Sequence, residues 1–384
     1  MEHLLNHHVK NIEISGIRKF FNLVSQYEDV LSLTIGQPDF HTPEHVKDAA
    51  KNAIDSNKTT YTHNAGIIEL REAISAFVQK KYRQKYNPNK EVIVTVGASQ
   101  GIDITFRTIL EPGTEVILPG PVYPGYEPLI RLCGASPVHV DTTETNFLLT
   151  ASLLKSYITE KTRCIVLPYP SNPTGVTLPK EELEKIIQLL EDKDIFVLSD
   201  EIYSELVFNG THCSIANYAS MRNKTIIING VSKSHSMTGW RIGFVLGPEY
   251  LMEQMLKVHQ YNVSCTSSIS QYAAIEALTV GINDADAMKK VYEERMEYVY
   301  NRLVNMGIDV IKPSGAFYLF PNIEKYELSS FDFALKMVEE AKVAVVPGSA
   351  FSSFGEGYVR LSYAYHMDLL EAAMDRMENF IKQL

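Results

Sequence analysis

Short runs of β-branched and aliphatic residues alternate with amphipathic helical stretches from about residue 66 onward. The runs that predict strands are Val92–Val96, Glu115–Leu118, Pro137–Val140, Cys164–Leu167, Ile195–Leu198, Thr225–Ile228 and Ile242–Leu246. Helical patterns separate most of them, such as those at Gly66–Tyr86 and Glu181–Leu190. This alternation predicts an α/β fold around a mostly parallel central sheet. Because such sheets bind ligands at the carboxyl ends of their strands, we expect the functional side chains there.

The pattern changes near Asp284, where a long helix of mixed charge is predicted over about Ala285–Met306. The strand-like runs beyond it are spaced differently and lie at Ala316–Phe320, Val343–Val346 and Val359–Ser362. A chain of 384 residues is longer than one core usually accommodates. We therefore expect a large domain of residues 46–284 and a smaller α/β domain that combines residues 1–45 with residues 285–384.

Charge and composition exclude several classes of protein. The net charge of -10 at pH 7 argues against a general nucleic-acid or anionic-membrane binder. No apolar run approaches the ~18 residues of a membrane-spanning helix, and the N-terminus lacks the apolar region of a signal peptide. The four cysteines are scattered without a CxxC pair, so we expect no metal site. These features predict a cytoplasmic protein.

Lys233 and Arg241 both lie next to predicted strands. The segment Ser232-Lys233-Ser234 follows the buried run Thr225–Asn229, which puts Lys233 at a strand end. A partly desolvated lysine can lose its proton and condense with an aldehyde, although most lysines are solvated surface groups. Arg241 stands at the entrance to the run Ile242–Leu246, where a guanidinium can hold a phosphate through two hydrogen bonds.

Asp200 also lies at a strand end, because Ser199-Asp200-Glu201-Ile202-Tyr203 follows the run Ile195–Leu198. A buried carboxylate beside a pyridine nitrogen keeps that nitrogen protonated, which makes the ring an electron sink. Tyr203 would reach the phenolic oxygen of such a ring. The competing interpretation is that Asp200 only caps the N-terminus of a helix.

Two further turns follow predicted strands. Pro170-Ser171-Asn172-Pro173-Thr174-Gly175 is a rigid turn that would hold the amide of Asn172 in a fixed pose, although an ordinary connection also explains it. Gly97-Ala98-Ser99-Gln100-Gly101 leads from a strand into a predicted helix. Backbone N–H groups at the start of a helix bind anions, so a phosphate would fit there with help from Ser99.

The segment Gly97-Ala98-Ser99-Gln100-Gly101 also matches the G-x-S-x-G nucleophile elbow of α/β serine hydrolases. A hydrolase would need an upstream oxyanion segment, and no histidine-glycine-glycine sequence precedes this turn. It would also need a late catalytic histidine, whereas His366 opens an apparent helix over Met367–Met377. The serine hydrolase is therefore the remote alternative from another class.

Four segments are specific in combination: Ser-Asn-Pro-Thr-Gly at 171–175, Asp-Glu-Ile-Tyr at 200–203, Ser-Lys-Ser-His-Ser-Met-Thr-Gly-Trp-Arg at 232–241, and Tyr-Val-Arg-Leu-Ser at 358–362. Together they resemble the class I and II aminotransferases, which are fold-type I enzymes that depend on pyridoxal 5'-phosphate. The resemblance covers nearly the whole chain in order. It implies pyridoxal phosphate as cofactor, amino acids and 2-oxo acids as substrates, and a homodimer with shared active sites.

The resemblance also implies which residues contact the cofactor and which contact the substrate. Lys233 would carry the cofactor as a Schiff base and move the substrate proton, while Asp200 would pair with the pyridine nitrogen. The other residues of the implied site are Asn172 and Tyr203 on the ring oxygen, Tyr123 on the ring face, Ala98, Ser99, Gln100, Ser232 and Arg241 on the phosphate, Tyr61 on the phosphate from the neighbouring subunit, and Gly36, Asn172 and Arg360 on the substrate α-carboxylate. Gly230 stands where many relatives have a serine that also contacts the phosphate, so one contact is expected to be missing.

Within the family, the chain looks most like a branch that contains the N-acetyl-L,L-diaminopimelate aminotransferases of lysine biosynthesis in Gram-positive bacteria. This implies glutamate as amino donor and 2-oxo-6-acetamidopimelate as acceptor, in a pocket that Tyr123 and Tyr261 would help to line. The segments that carry this resemblance are Gln37-Pro38-Asp39-Phe40 and His-Ser-Met-Thr-Gly-Trp-Arg at 235–241, and they also fit aspartate and aromatic aminotransferases. A PLP-dependent C–S β-lyase remains open as well, because it shares the cofactor motifs.

Overall fold

The computed structural model describes residues 1–384. Its strands are, in chain order, β1 (Leu31–Ser32), β2 (Val92–Val96), β3 (Glu115–Gly120), β4 (Ser136–Asp141), β5 (Thr162–Leu167), β6 (Phe196–Asp200), β7 (Thr225–Gly230), β8 (Ile242–Leu246), β9 (Tyr318–Leu319), β10 (Val343–Ala344), β11 (Val346–Pro347) and β12 (Val359–Ser362). Its helices are α1 (His7–Lys10), α2 (Gly16–Val24), α3 (Glu44–Asp55), α4 (Ile68–Tyr82), α5 (Gly97–Ile109), α6 (Tyr126–Leu132), α7 (Ala151–Tyr157), α8 (Lys180–Leu190), α9 (Ala219–Arg222), α10 (Glu249–Val263), α11 (Ser268–Thr279), α12 (Asp284–Asn305), α13 (Ser330–Lys336) and α14 (Met367–Ile381).

Seven strands form the central sheet in the order β2-β8-β7-β6-β5-β3-β4. The pairs among β3, β4, β5, β6 and β7 are parallel, whereas β8 runs antiparallel to both β2 and β7. The α/β fold with a mostly parallel sheet is thereby confirmed. The bounds predicted for β2 and β8 match the structure, and the other sheet strands extend one or two residues beyond the predicted runs or begin one residue later.

The direction of β8 brings an additional segment to the functional edge of the sheet. Val96 pairs with Ile242 and Gly230 pairs with Gly243, so β8 begins at the edge where β2 and β7 end. The residue that precedes β8 is Arg241, whose left-handed backbone (φ 56°) turns the chain into the strand. The antiparallel strand thus puts an arginine where a parallel strand would put its last residues.

The predicted C-terminal strands are shorter or divided. Only Tyr318–Leu319 of the predicted run Ala316–Phe320 is a strand, because Ala316 has a positive φ of 57° that breaks the extended backbone. The run Val343–Val346 changes sheets after Ala344: β10 pairs with β1, and β11 pairs with β12. The strand predicted at Val359–Ser362 is confirmed and lies between β11 and β9.

The largest apolar cluster joins the beginning of the chain to its end. It contains 32 buried residues, among them Phe20 and Leu33 from the N-terminal segment and many side chains from the range Met288–Phe380. Tyr203, at the end of the central sheet, belongs to the same cluster, so the two ends of the chain pack against the functional edge. We propose on this basis that residues 1–45 and 285–384 form a smaller domain beside a large domain of residues 46–284. None of the helices combines the length and the apolar character that crossing a bilayer requires.

Candidate active site

A cavity of about 660 Å³ lies at the edge of the sheet where β2, β6 and β7 end. Segments from every part of the chain meet there, from α2 near the N-terminus to β12 near the C-terminus. The predicted site residues that line it are Gly36, Ala98, Ser99, Tyr123, Asn172, Asp200, Tyr203, Ser232, Lys233, Arg241 and Arg360. The cavity therefore brings together one carboxylate, several cations and several neutral donors.

Lys233 lies in the turn after β7 and is partly buried. Its Nζ donates a hydrogen bond of 2.7 Å to the backbone oxygen of Gly36. Burial lowers the pKa of Lys233 to about 8, aided by the positive charges of Arg360 and Arg241 and opposed by the charge of Asp200. A lysine whose pKa lies near neutrality can act as a nucleophile or as a base.

Asp200 ends β6 and is only 7% exposed. One carboxylate oxygen accepts a hydrogen bond of 2.6 Å from the hydroxyl of Tyr126, and the other accepts the backbone N–H of Ile202 at 3.2 Å. Burial raises the pKa of Asp200 to about 6, while these two hydrogen bonds oppose the rise. No helix begins until the short turn at Ile215, so Asp200 caps a turn of the backbone and not a helix.

The start of α5 and the side chain of Arg241 form a corner that can bind an anion. The first turn of α5 contains Gly97 and Ser99, and helix N-termini present free backbone N–H groups. The guanidinium of Arg241 lies so close to Gly97 that any Cβ there would collide with it. Nη1 of Arg241 donates to the backbone oxygen of Thr238 at 2.9 Å, which fixes the side chain in this position. A guanidinium beside a helix N-terminus is an arrangement that suits phosphate.

Arg360 points into the cavity from β12 and is only 2% exposed. Nη1 donates to the side-chain oxygen of Asn172 at 2.9 Å, and Nη2 donates to the backbone oxygen of Thr34 at 2.5 Å. Nε is buried without a hydrogen-bond partner. The guanidinium carbon lies 4.5 Å from the ring centre of Tyr318. Neutral acceptors and an aromatic face thus hold a buried cation, which leaves its charge available for a carboxylate.

Tyr203 and Tyr318 connect the end of β6 with the arginine on β12. Their hydroxyl oxygens are 2.7 Å apart, and both side chains are buried. Burial raises the pKa of Tyr203 well above its ordinary value, so the hydroxyl stays protonated and can donate. A Cβ at Gly36 would collide with the hydroxyl of Tyr318, which explains why a glycine faces this pair.

Three residues named from the sequence lie outside the cavity of the single chain. The side-chain oxygen of Gln100 accepts the backbone N–H of Val96 at 2.7 Å, so Gln100 stabilises the turn from β2 into α5. Tyr61 is 90% exposed and Tyr261 is 88% exposed. Neither tyrosine lines the cavity from its own chain, and a role for Tyr61 in a shared site requires a second copy of the chain.

Tyr126, Tyr318 and Arg18 are among the cavity-lining residues that sequence reasoning did not name as site residues. Tyr126 begins α6 and donates to Asp200, and its position shortly after Tyr123 was an available signal. Tyr318 lies in a predicted strand, but its contact with Tyr203 depends on tertiary packing that the sequence pattern does not show. Arg18 lies on α2, a helix that the sequence analysis did not predict, and no motif includes it.

The serine hydrolase alternative lacks the parts that it needs. Ser99 lies in the regular first turn of α5, and the strained positive φ at this turn belongs to Gly97. No histidine is among the residues that line the cavity. A serine nucleophile requires an adjacent base, so the geometry around Ser99 suits anion binding and not acyl transfer.

Pyridoxal phosphate matches the chemistry of the groups in the cavity. Asp200 is a buried carboxylate with no cation within ion-pair distance, as a protonated pyridine nitrogen requires. Lys233 has the lowered pKa of an amine that attacks an aldehyde. The corner between Arg241 and α5 suits the phosphate. These residues would hold the three polar ends of the cofactor.

Residues 28–377 match the family model described as aminotransferase class I and II, and the chain belongs to that family. It is 61% identical over 381 residues to a probable N-acetyl-LL-diaminopimelate aminotransferase of Bacillus subtilis, covering 99% of this chain and 96% of that protein. The aminotransferase class expected from the sequence motifs is confirmed by these relatives.

Solved structures show the same fold at lower identity. An aromatic aminotransferase from Pyrococcus horikoshii superposes with a TM-score of 0.90 at 42% identity, covering 96% of this chain and 99% of that one. An aspartate aminotransferase from Thermus thermophilus, solved with maleate, gives a TM-score of 0.92 at 35% identity, with 98% and 99% coverage. Enzymes named for different amino acids therefore share this backbone, so the fold alone does not define the substrate.

Proposed function

We propose that the chain is a pyridoxal-phosphate-dependent aminotransferase that moves an amino group between glutamate and a second oxo acid. The observation that carries the proposal is the presence of Lys233 and Asp200 in one cavity with opposite displacements of their pKa values. The pKa of Lys233 falls to about 8 and that of Asp200 rises to about 6. Titratable groups that are shifted toward neutrality in a cleft are typical of catalytic sites.

In this proposal, different residues bind the different polar groups of the cofactor. Asp200 would pair with the ring nitrogen, Asn172 and Tyr203 with the ring oxygen, and Arg241 with the phosphate. When bound, pyridoxal phosphate supplies an electron sink for the pair released at the substrate α-carbon and carries the amino group between substrates. Tyr123 lines the same cavity and would cover one face of the ring.

Lys233 would transfer the proton that leaves the substrate α-carbon. Since its pKa lies near 8, a substantial fraction of the side chain is neutral in mildly alkaline solution. A neutral Nζ can take the proton from the substrate α-carbon, and the resulting ammonium can deliver it to C4′ of the cofactor. Arg360 would hold the substrate α-carboxylate and so direct the α-carbon toward Nζ.

For the side chain of the substrate we propose N-acetyl-L,L-2,6-diaminopimelate and its 2-oxo acid. The support is the 61% identical relative named for that compound. The test is a panel in which glutamate is fixed and the acceptor is varied among 2-oxo-6-acetamidopimelate, oxaloacetate and phenylpyruvate. The acetylated pimelate should have the largest kcat/KM. An advantage of more than ~10-fold for another acceptor, which is ~1.4 kcal/mol, would remove this substrate and leave the aminotransferase proposal standing.

A C–S β-lyase on the same scaffold would give different products. Incubation with cystathionine or cysteine would release pyruvate and ammonia without any oxo acid acceptor. The aminotransferase proposal predicts that product formation requires a 2-oxo acid and that the amino group is conserved in the second amino acid. Measuring ammonia and acceptor consumption in the same reaction separates the two activities.

We further propose a homodimer in which Tyr61 of one chain serves the cavity of the other. Tyr61 is a large aromatic side chain that is 90% exposed in the single chain. A hybrid dimer of one Tyr61→Phe chain and one Lys233→Ala chain tests this. If Tyr61 crosses the interface, one site has both lesions and the other has none, so about half of the wild-type activity returns. If Tyr61 acts within its own chain, each site has one lesion, and the hybrid keeps only about half of the activity of the Tyr61→Phe homodimer.

A further inference from the structure

The roles proposed above use three of the four cationic side chains that line the cavity. Four cationic side chains face it, namely Arg18, Lys233, Arg241 and Arg360, and the only acidic residue that lines it is Asp200. In the proposed function Lys233 binds the cofactor, Arg241 the phosphate and Arg360 the α-carboxylate. Arg18 is the one cation that this assignment leaves without an anion.

Helix α2 holds Arg18 at the cavity. Phe20 is 1% exposed and packs in the largest apolar cluster, while Ile17 packs against a second cluster that includes Phe351. A Cβ on Gly16 would touch Ala350, so the start of the helix lies directly on the backbone of that segment. The helix is thus anchored on both sides and places Arg18, whose side chain is exposed, among the residues that line the cavity.

No side chain of the protein neutralises Arg18. Its guanidinium makes neither an ion pair nor a hydrogen bond to a protein group, and its only described contact is with the ring of Phe21 at 6.0 Å from the ring centre. The adjacent Lys19, by contrast, is paired with Glu13 at 2.6 Å and does not line the cavity. A guanidinium that faces a concave site without a partner has its full hydrogen-bonding capacity available for a carboxylate.

We propose that Arg18 binds the distal carboxylate of the substrate and makes the enzyme selective for dicarboxylic amino acids and oxo acids. The proposal rests on the aminotransferase function proposed above and adds the residue that reads the far end of the side chain. Arg360 on β12 takes the α-carboxylate, and Arg18 lines the same cavity from α2. Ile17 and Phe21, on the same helix, provide apolar surface for the methylene chain between the two carboxylates.

Matched ligands isolate this contact. L-2-aminopimelate and L-2-aminoheptanoate have the same seven-carbon chain and differ in the distal carboxylate. In steady-state kinetics of the holoenzyme, Arg18→Met should raise KM for 2-aminopimelate about 10- to 100-fold, the range of one charge-assisted hydrogen-bonded contact. KM for 2-aminoheptanoate and kcat for both should stay near the wild-type values, because the contact is made equally in the ground state and the transition state. Arg18→Lys should have a KM for 2-aminopimelate between those of the wild type and Arg18→Met.

Lys19→Met is the control, since it removes a neighbouring cation on the same helix that does not line the cavity. The proposal is overturned if Arg18→Met leaves the preference for 2-aminopimelate intact, if it weakens both amino acids equally, or if Lys19→Met has the same effect. Either of the first two results leaves the aminotransferase proposal standing.

A binding measurement without turnover separates the two proposals. Calorimetric titration of the holoenzyme with pimelate and with heptanoate should show tighter binding of pimelate, and Arg18→Met should abolish the difference. If wild-type protein fails to transaminate any amino acid, the proposed function fails, and the titration still decides the role of Arg18. Equal affinity of the wild type for pimelate and heptanoate would refute the role of Arg18.

Discussion

The hydroxyl of Tyr126 donates a 2.6 Å hydrogen bond to the carboxylate of Asp200 where both side chains are buried. This bond opposes the effect of burial on Asp200, whose pKa is nevertheless raised to about 6. Tyr126 therefore helps to keep Asp200 ionised at neutral pH. An ionised Asp200 is what the proposed protonated pyridine nitrogen needs, so Tyr126 would act on the cofactor through Asp200.

Tyr126→Phe should raise the pKa of Asp200 above about 6 and so weaken cofactor binding in the pH range from 6 to 8. Loss of a hydrogen bond to a charged group costs ~1.5–3 kcal/mol, so the Kd for pyridoxal phosphate should rise at least ~10-fold at pH 6.5. The measurement is a fluorescence titration of cofactor-free protein at several pH values. Tyr169→Phe, a buried tyrosine outside the cavity, is the control. An unchanged pH dependence of Kd in Tyr126→Phe would contradict this role.

The strand positions of Lys233, Asp200 and Arg241 were predictable because hydrophobic runs and short polar segments alternate clearly in this part of the chain. The partner of Asp200 was not predictable. Tyr126 begins a separate helix, and only the packing of α6 near the end of β6 brings its hydroxyl within hydrogen-bonding distance.

Dependence on tertiary contacts also explains the other differences between the predicted and the observed structure. The antiparallel direction of β8 cannot be read from its own apolar run, yet it decides that Arg241 faces the cavity. Val343–Val346 has the composition of one strand, but the chain leaves one sheet and enters another within it. Arg18 lies in a short N-terminal helix whose place at the cavity depends on contacts with Ala350 and the apolar clusters.

Two substitutions of Tyr318 should separate the role of its hydroxyl from the role of its ring. Tyr318→Phe removes the hydroxyl that bonds Tyr203 but keeps the ring that faces Arg360. It should lower kcat several-fold with little change in KM, because Tyr203 loses a neutral hydrogen bond of ~1 kcal/mol. Tyr318→Leu also removes the ring and should raise KM for every substrate with an α-carboxylate. If both variants change kcat and KM alike, the two roles are not separable.

Arg360→Lys should weaken both halves of the reaction. A lysine has no fork of donors, so it cannot bond Asn172 and Thr34 and still present two N–H groups to a carboxylate. KM for the amino acid and for the oxo acid should each rise about 100-fold, since the proposed α-carboxylate site would serve both. Arg376→Lys, which alters an arginine that bonds only backbone oxygens at Asp29 and Lys342, should have wild-type kinetics. An effect of Arg360→Lys on one substrate only would contradict the shared site.

The cofactor-free protein should carry the cost of burying Lys233. Because the folded-state pKa of about 8 lies below the ordinary 10.5, the unfolded chain binds more protons between these values. The destabilisation is fully present below pH 8 and disappears as the pH rises toward 10.5. Lys233→Met should therefore be more stable than the wild type at pH 7, by at most about 3 kcal/mol.

Urea unfolding of the two cofactor-free proteins from pH 7 to pH 10 measures this difference. All other titrating groups are common to both, so the gap in free energy of unfolding should shrink as the pH passes 8. A gap that is constant with pH, or one that grows, would show that the Lys233 amine is not charged at a cost in the folded protein.

The transfer of a labelled amino group tests the account most directly. Holoenzyme is incubated with 15N-labelled glutamate and 2-oxo-6-acetamidopimelate, and the products are analysed by mass spectrometry. Wild-type protein should move the 15N label into the acetylated diaminopimelate and form an equal amount of 2-oxoglutarate. Lys233→Ala should bind pyridoxal phosphate and remain folded but lose transfer by at least ~10²–10⁴-fold, the usual effect of removing a proton-transfer group. Label transfer by Lys233→Ala at the wild-type rate, or release of the label as free ammonia by the wild type, would contradict the account.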